Sequence, residues 1–260
     1  MKDLFDLGGR VAVVTGSTKG IGKAIAEAMA AQGAKVVISS RKAPACDPVA
    51  SQIRQAGGEA IPIPCNVSHK EQLRHLVEET RRELGAIDFL VANAGVNPFY
   101  GASLEIPDSA FEKILDVNVR SNHWLCQMVI PEMRERGAGV NIIVSSVTGL
   151  KGSSALGSYA ISKAADMQLV RNLAVEFGPD GIRANCIAPG VVKTDFARAL
   201  WEDPQAAERQ EECTPLRRLG TAEDIAGAAV FLAAPAGAWL TGQSIVIDGG
   251  ATIVSGAPPS

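Results

Sequence analysis

Tyr159 and Lys163 stand four residues apart inside Ser154–Phe177, a stretch whose pattern reads as one long helix. Residues at that spacing share a helix face, so a phenol and an ammonium can reach into one site. A free tyrosine has a pKa of about 10 and is a poor base at neutral pH. A neighbouring ammonium, or the positive ring of an oxidised nicotinamide, stabilises the phenolate and lowers that value. A phenol tuned in this way gives or takes a proton at a carbonyl or alcohol oxygen. Taken alone, the pair also reads as a tyrosine–lysine contact on a helix surface.

A second set of residues lies near the N-terminus, where Thr15-Gly16-Ser17-Thr18-Lys19-Gly20-Ile21-Gly22 follows the apolar run Val11–Val14. The glycines permit a tight turn and close backbone approach. The helix that follows offers free N–H groups and its positive dipole end to a pyrophosphate. The spacing is G-x-x-x-G-x-G, not the usual G-x-G-x-x-G, but its place after the first strand favours a dinucleotide over a plain turn. After the second run, Val36–Ile38, come Ser39-Ser40-Arg41-Lys42, with no acid. An NAD site wants an acid there for the ribose 2′-hydroxyl. Arg41, Lys19 and the Ser40 hydroxyl instead suit a 2′-phosphate, because charged donors bind phosphate strongly. The expected cofactor is NADP (NADPH); the alternative leaves Arg41 and Lys42 as solvated loop charges.

Positioning these groups is the work of a regular alternation. Runs rich in Val and Ile, apolar on both faces, occur at Val11–Val14, Val36–Ile38, Ala60–Ile63, Phe89–Ala92, Val140–Val144, Ile182–Ile187 and Ser244–Ile247. They suit strands of a parallel sheet covered on both sides. Between them lie helical patterns such as Lys23–Gln32, Asp47–Gln55, Lys70–Leu84 and Ser109–Arg136, with Asp47-Pro48 as a cap and first-turn residue. The expected fold is α/β, a single-domain, Rossmann-like, doubly wound parallel sheet of about seven strands with helices on both faces. One domain spans 1–260, with no linker or repeat. The polar segment 195–219 breaks the rhythm and is expected to be a substrate lid, and the tail 255–260 is expected to be loose.

Composition narrows the function. Lys plus Arg number 25 against 28 Asp plus Glu, and apolar residues make up 47%. A net charge of −3 gives no basic footprint for nucleic acid. Residues 225–247 carry no charge, but Pro235, glycines and Thr241 interrupt them; they read as a buried helix, a turn and a buried strand, so no membrane partner is expected. Five scattered cysteines form no C-x-x-C pair, which argues for a reducing compartment. His69, His75 and His123 have no metal-ligand spacing, so no metal is expected.

The turn Thr15–Gly22, Asn93-Ala94-Gly95, Asn118, Ser146 thirteen residues before Tyr159, Lys163, Pro189-Gly190-Val191-Val192-Lys193-Thr194 and Ile245-Val246-Ile247-Asp248-Gly249-Gly250 together resemble the short-chain dehydrogenase/reductase family over residues 8–250. The resemblance implies Tyr159 as general acid/base and Ser146 as hydrogen-bond donor to the substrate oxygen. It implies that Lys163 binds the nicotinamide ribose and that Asn118 interrupts its helix to hold a relay water. Ser145 is left as a strand-end hydroxyl. Asn93, Ala94 and Gly95 would pack behind the adenosine ribose. Pro189 and Gly190 belong to the nicotinamide-side loop, whose Val192 N–H and Thr194 would hold the carboxamide. Two positions depart from the family: Asn66-Val67 replaces Asp-Val, its amide oxygen still able to accept from adenine, and Ala92 replaces the first Asn of Asn-Asn-Ala-Gly.

The expected substrate pocket draws on Val96, Asn97, Pro98, Phe99, Tyr100, Val147, Thr148, Phe196, Leu200 and Trp201. This largely apolar and aromatic set suits a hydrophobic or aromatic ketone or aldehyde, reduced reversibly to its alcohol. The chain looks most like the NADP-dependent carbonyl/retinal reductase branch. Animal members of that branch end in a peroxisomal tripeptide, whereas this chain ends Pro258-Pro259-Ser260, so the expected location is cytoplasmic. A 3-oxoacyl thioester reductase is the first alternative, with Arg217 and Arg218 for an acyl carrier. A non-catalytic NADP-binding sensor or structural subunit is the second. The family also implies a homotetramer, and the apolar stretch Trp239–Ile253 is consistent with burial against a partner subunit.

Overall fold

The computed structural model describes residues 4–254; the tail 255–260 lies outside them. Seven strands, β1 (Val11–Thr15), β2 (Lys35–Ser39), β3 (Glu59–Pro62), β4 (Phe89–Ala92), β5 (Gly139–Val144), β6 (Ile182–Pro189) and β7 (Ser244–Ile247), form one sheet. Its order is β3-β2-β1-β4-β5-β6-β7 and every pairing is parallel. The helices are α1 (Gly20–Ala31), α2 (Cys46–Gln55), α3 (Lys70–Leu84), α4 (Asp108–Leu115), α5 (Ser121–Arg136), α6 (Gly157–Phe177), α7 (Pro204–Glu212) and α8 (Ala222–Ala233). Successive strand side chains point to opposite faces, and the core divides accordingly. Ala12 and Val14 join the cluster under α1, α2 and α8, while Val11 and Val13 join the one under α3, α5 and α6. Burying each Val, Ile or Leu stabilises the fold by roughly 1.5–3 kcal/mol, which is why the strands carry no alternation of polar residues.

Each strand is approached through a glycine of positive φ on one rim of the sheet: Gly9, Gly33, Gly57, Gly85, Gly137, Gly181 and Gly242. Gly137 shows the reason. It ends α5 in the left-handed region, at φ 67° and ψ 22°, where other residues are strained. The Gly137 carbonyl lies only 2.1 Å from where a Cβ on Gly181 would stand, so the turns into β5 and β6 are packed against each other.

Four local features differ from the sequence expectation. Ser109–Arg136 is not one regular helix but α4, a wide π turn at Asp116–Arg120, and α5. Asp47 does not cap α2; a 3-10 turn at Ala43–Ala45 feeds the helix, which begins at Cys46, and Asp47 falls in the first turn. α6 begins at Gly157, not Ser154. The apolar run after α8 ends in an edge strand that is not buried: Val246 is 39% exposed because β7 has no neighbour beyond it among the described residues.

The segment 195–219 leaves the sheet as a 3-10 turn, Asp195–Leu200, followed by α7, whose N-cap Asp203 accepts from the Ala206 N–H. Its two ends meet. Val192 pairs with Gly220, Lys193 N donates to Gly220 O at 2.8 Å, and Gly220 N donates to Val191 O at 3.0 Å. No helix among the described residues is long and apolar enough to cross a membrane.

Candidate active site

In open parallel sheets, ligands bind beyond the carboxyl ends of the strands. A cavity of about 290 Å³ lies there, walled by the exits of β1 to β5, by α6 and by the start of the segment 195–219. Its floor is the glycine turn. A Cβ on Gly16 would stand 3.0 Å from Asn93 Nδ2 and 3.1 Å from Ala94 Cα, and one on Gly22 would stand 2.5 Å from Gly16 O. Only glycine lets the turn lie this close to β4. Asn93 fastens it, Nδ2 donating to Thr15 O at 2.9 Å and Gly16 O at 3.2 Å, while Thr15 Oγ1 accepts from the N–H groups of Asn93 and Ala94. Gly16, Lys19, Gly20, Ile21, Gly22, Asn93, Ala94 and Gly95 all line the cavity. Ser17 does not. It is fully buried, donates to Val14 O at 2.7 Å and accepts from Ser39 N at 2.9 Å, pinning the turn to β2.

The start of α1 has no side-chain cap; Lys19 at the N-cap is extended and bonds elsewhere. First-turn N–H groups without a side-chain partner suit an anion. Ser40 and Arg41 line the same end. Arg41 has no ion pair among the described residues, whereas Lys19 Nζ pairs with Asp195 Oδ2 at 3.1 Å, so that cation leans toward the segment 195–219. Val67 and Asn66 also line the cavity; the Asn66 amide oxygen already accepts from Ser68 N at 3.2 Å. An uncapped helix start, a cradle too tight for any Cβ and a free guanidinium fit a phosphorylated dinucleotide.

At the other end, α6 delivers Tyr159 and Lys163, 9% and 3% exposed. Lys163 Nζ lies 5.7 Å from the Tyr159 ring centroid, donates to Val144 O at 2.9 Å and pairs with Asp166 Oδ2 at 3.1 Å. Ser145 ties β5 to α6 by donating to Lys163 O at 2.7 Å. Ser146 does not line the cavity, although Ser145 does; it caps the short turn Val147–Leu150, accepts from Thr148 N and Oγ1, and pulls the Tyr159 phenol down from beside it. Asn118 sits in the π turn, fully buried. Its Oδ1 accepts from Val96 N at 2.8 Å, and its Nδ2 donates to Val96 O and to Ser162 Oγ.

Electrostatically, Tyr159 departs from the expected downward tuning. Burial pushes its phenol above the ordinary value; Lys163 and Ser146 pull it down, and Asp166 adds to the upward push. Burial draws Lys163 down, yet the Asp166 carboxylate and Tyr159 outweigh it and hold the ammonium above its ordinary value.

The expected substrate residues divide. Val96 and Phe196 line the cavity, and the Phe196 ring stands 6.0 Å from that of Tyr159. Asn97 and Phe99 line a narrow crevice on the far side of Tyr159, where Asn97 Oδ1 is buried with no hydrogen-bond partner among the described residues. Thr148 is engaged by Ser146. Tyr100, Leu200 and Trp201 do not reach the cavity. Tyr100 is 68% exposed; Leu200 stays within the lid turn; Trp201 Nε1 donates to Thr194 O at 2.9 Å beneath Lys193. Of the loop after β6, Thr194 lines the cavity. Pro189 ends β6, Gly190 N is bonded to Ile247 O, and Val192 is buried against Gly220.

Lining residues not assigned to the site from sequence are Thr18, Cys65, Ser68, Lys113, Val117, Val144, Asp195 and Ser145, the last set aside as a strand-end hydroxyl. They arrive through tertiary packing, as when Lys113 Nζ on α4 donates to Ser68 Oγ at 2.9 Å. Asp166 also escaped the reading, although a carboxylate three residues after Lys163 was a usable signal. No cluster of metal-ligating side chains occurs among the described residues.

Comparison with known proteins bears on the fold and the family. A family model described as enoyl-(acyl carrier protein) reductase matches residues 16–252. The chain is 41% identical over 245 residues to dehydrogenase/reductase SDR family member 4 of Oryctolagus cuniculus, covering 94% of each. Among solved structures, it superposes with TM-score 0.93 on a gluconate 5-dehydrogenase from Burkholderia cenocepacia J2315 in complex with NADP and tartrate, at 32% identity, covering 97% of this chain and 99% of that one. A 7α-hydroxysteroid dehydrogenase complexed with NADH and 7-oxo glycochenodeoxycholic acid gives TM-score 0.92 at 37% identity, covering 100% of this chain and 98% of the other.

Proposed function

Since the chain belongs to the short-chain dehydrogenase/reductase family of oxidoreductases, we propose that it reduces an apolar or aromatic ketone or aldehyde to the alcohol, reversibly, with NADPH. The observation that carries this reading is the convergence of Tyr159 and Lys163, with Ser146 beside the phenol, at one end of a cavity with an uncapped helix start and Arg41 at the other. The glycine turn would hold the pyrophosphate, Arg41 and Ser40 the 2′-phosphate, and Lys163 and Thr194 the nicotinamide half. Bound there, the cofactor supplies hydride chemistry. Tyr159 gives its proton to the substrate oxygen, and Ser146 steadies the charge on that oxygen. Phe196, its ring 6.0 Å from that of Tyr159, would offer an apolar surface to the substrate.

Preference for NADP rests on the missing acid after β2 and on an unpaired Arg41; the solved relatives include one with NADP and one with NADH. A thioester substrate has support in the wording of the matching family model. Against it, Arg218 is held bidentately by Asp224 and Arg217 by the Glu212 carbonyl, which leaves little free positive charge for an acyl carrier. An intact proton donor argues against a sensor without turnover. The same reading takes the assembly to be a homotetramer, and five free thiols favour a reducing, cytoplasmic setting.

The test is NADPH consumption on aryl ketones, α-diketones, aldehydes and acetoacetyl thioesters, with Tyr159→Phe beside the parent. The variant should bind NADPH unchanged and lose roughly 10²–10⁴-fold in kcat. Full activity in the variant would remove Tyr159 as proton donor, and thioesters turned over far faster than ketones would reverse the substrate order.

A further inference from the structure

Asp166 lies on α6 with no exposure to solvent, and proton transfer at Tyr159 gives it no task. Each oxygen of its carboxylate faces a donor: Oδ2 accepts from Lys163 Nζ at 3.1 Å, and Oδ1 accepts from Asn122 Nδ2 at 2.9 Å. Burial raises this carboxyl above its ordinary value, while Lys163 and Asn122 pull it back, because a proton on either oxygen would meet a donor. Asn122 also donates to the Asn118 carbonyl at 2.6 Å, which joins the π turn to the lysine through one continuous network. A buried ion pair is costly to assemble and is poor evidence of stabilisation by itself. Its placement against the ammonium that faces Tyr159 is what gives it a consequence.

We propose that Asp166 is a positioning residue for the reaction: it pins the Lys163 ammonium and, by opposing its charge, disfavours the Tyr159 phenolate, so that the base form needed for alcohol oxidation appears only at higher pH than Lys163 alone would allow. This deepens the reductase reading and rests on it. The groups facing the pair are few. From α6 come Tyr159 and, farther along, exposed Arg171; from α5 come Asn122 and Cys126; from β6 comes Cys186; from the exit of β5 comes Ser146. Burial pushes Cys126 up to about 12 and raises Cys186 as well, so both thiols are neutral at working pH. Lys163 and Asp166 are therefore the charges that act on the phenol at close range. An ammonium alone would stabilise the phenolate; a carboxylate beside it cancels part of that effect. Burial and Asp166 together leave Tyr159 above its ordinary value.

The chain has two tyrosines, Tyr100 and Tyr159. On a Tyr100→Phe background, tyrosinate absorbance reports Tyr159 alone. The titration is run on that protein and on its Asp166→Asn and Asp166→Ser versions, each verified as folded by circular dichroism. Either substitution should lower the Tyr159 midpoint by about one pH unit or more. In the otherwise native enzyme, the alkaline rise of kcat for alcohol oxidation should move down by a similar amount, with KM little changed. A midpoint that stays or rises in both folded variants overturns the proposal, even if activity falls. A lowered midpoint in a protein that turns over no carbonyl sustains the Asp166 assignment while the reductase reading fails.

Discussion

Arg41 and Lys19 flank the same end of the cavity but are in different states. Arg41 is unpaired among the described residues, and Lys19 shares an exposed pair with Asp195. Such a pair is worth about 0–1 kcal/mol, so a phosphate draws Lys19 away at little cost. Arg41→Ala is expected to raise KM for NADPH at least about tenfold, the loss of one charge-assisted bond, and to leave KM for NADH nearly unchanged. Lys19→Ala should do less. Equal changes for both cofactors would show that neither residue reads the 2′-phosphate. Residue by residue, legibility followed locality. Gly16, Gly20, Gly22, Tyr159 and Lys163 announce themselves by spacing along one turn or helix face, and all line the cavity. Ser17 and Trp201 sit among such residues yet turn away, because main-chain groups capture them: the Val14 carbonyl three residues back and the Ser39 N–H on β2 for Ser17, and the Thr194 carbonyl seven residues back for Trp201.

At the scale of elements, α8 is fixed by a capping box that also recruits Arg218. Thr221 Oγ1 accepts from Asp224 N at 3.4 Å, Asp224 Oδ2 accepts from Thr221 N at 2.7 Å, and Arg218 adds two bonds to the same carboxylate. Arg218 first, then the Thr221 N–H, hold the Asp224 carboxyl well below the usual range. A depressed carboxyl contributes stability that is complete above its unfolded pKa, about 3.9, and is lost as pH falls through the lower folded value. Asp224→Asn should therefore lower Tm by roughly 2–4 °C at neutral pH, the equivalent of about 1 kcal/mol for an exposed cap. Thermal unfolding in steps from pH 7 into acid should show that gap closing; a gap constant with pH would mean that the carboxylate charge is not what holds the cap. All seven strands were legible because parallel, two-sided burial writes continuous apolar runs. The π turn was not legible as geometry, since it depends on Asn118 reaching Val96 and Ser162 across the fold. The exposure of β7 escaped too: an edge strand carries the same residue types as a covered one.

For the whole molecule, Trp239 at 101% and Ile253 at 84% exposure join Val246 as apolar groups near the β7 edge of the isolated chain. If the tetramer covers them, sedimentation of the parent at micromolar concentration gives one species of four chains, and Trp239→Glu gives smaller ones with unchanged circular dichroism. A parent that sediments as a monomer would remove the tetramer from the account. The bonds between Gly220 and residues 191–193 have a different kind of consequence. They shut the excursion 195–219 at its own neck, so the sheet does not register how long the excursion is. Lengthening a loop already closed at its base costs only about 0.6 kcal/mol per doubling. The segment is in effect a cassette: its boundaries are built in, and a foreign stretch that kept Asp195 and Phe196 at the cavity and Thr214–Leu216 against Gly249 and Gly250 would inherit the proton donor and the core, and bring a new appetite for substrate.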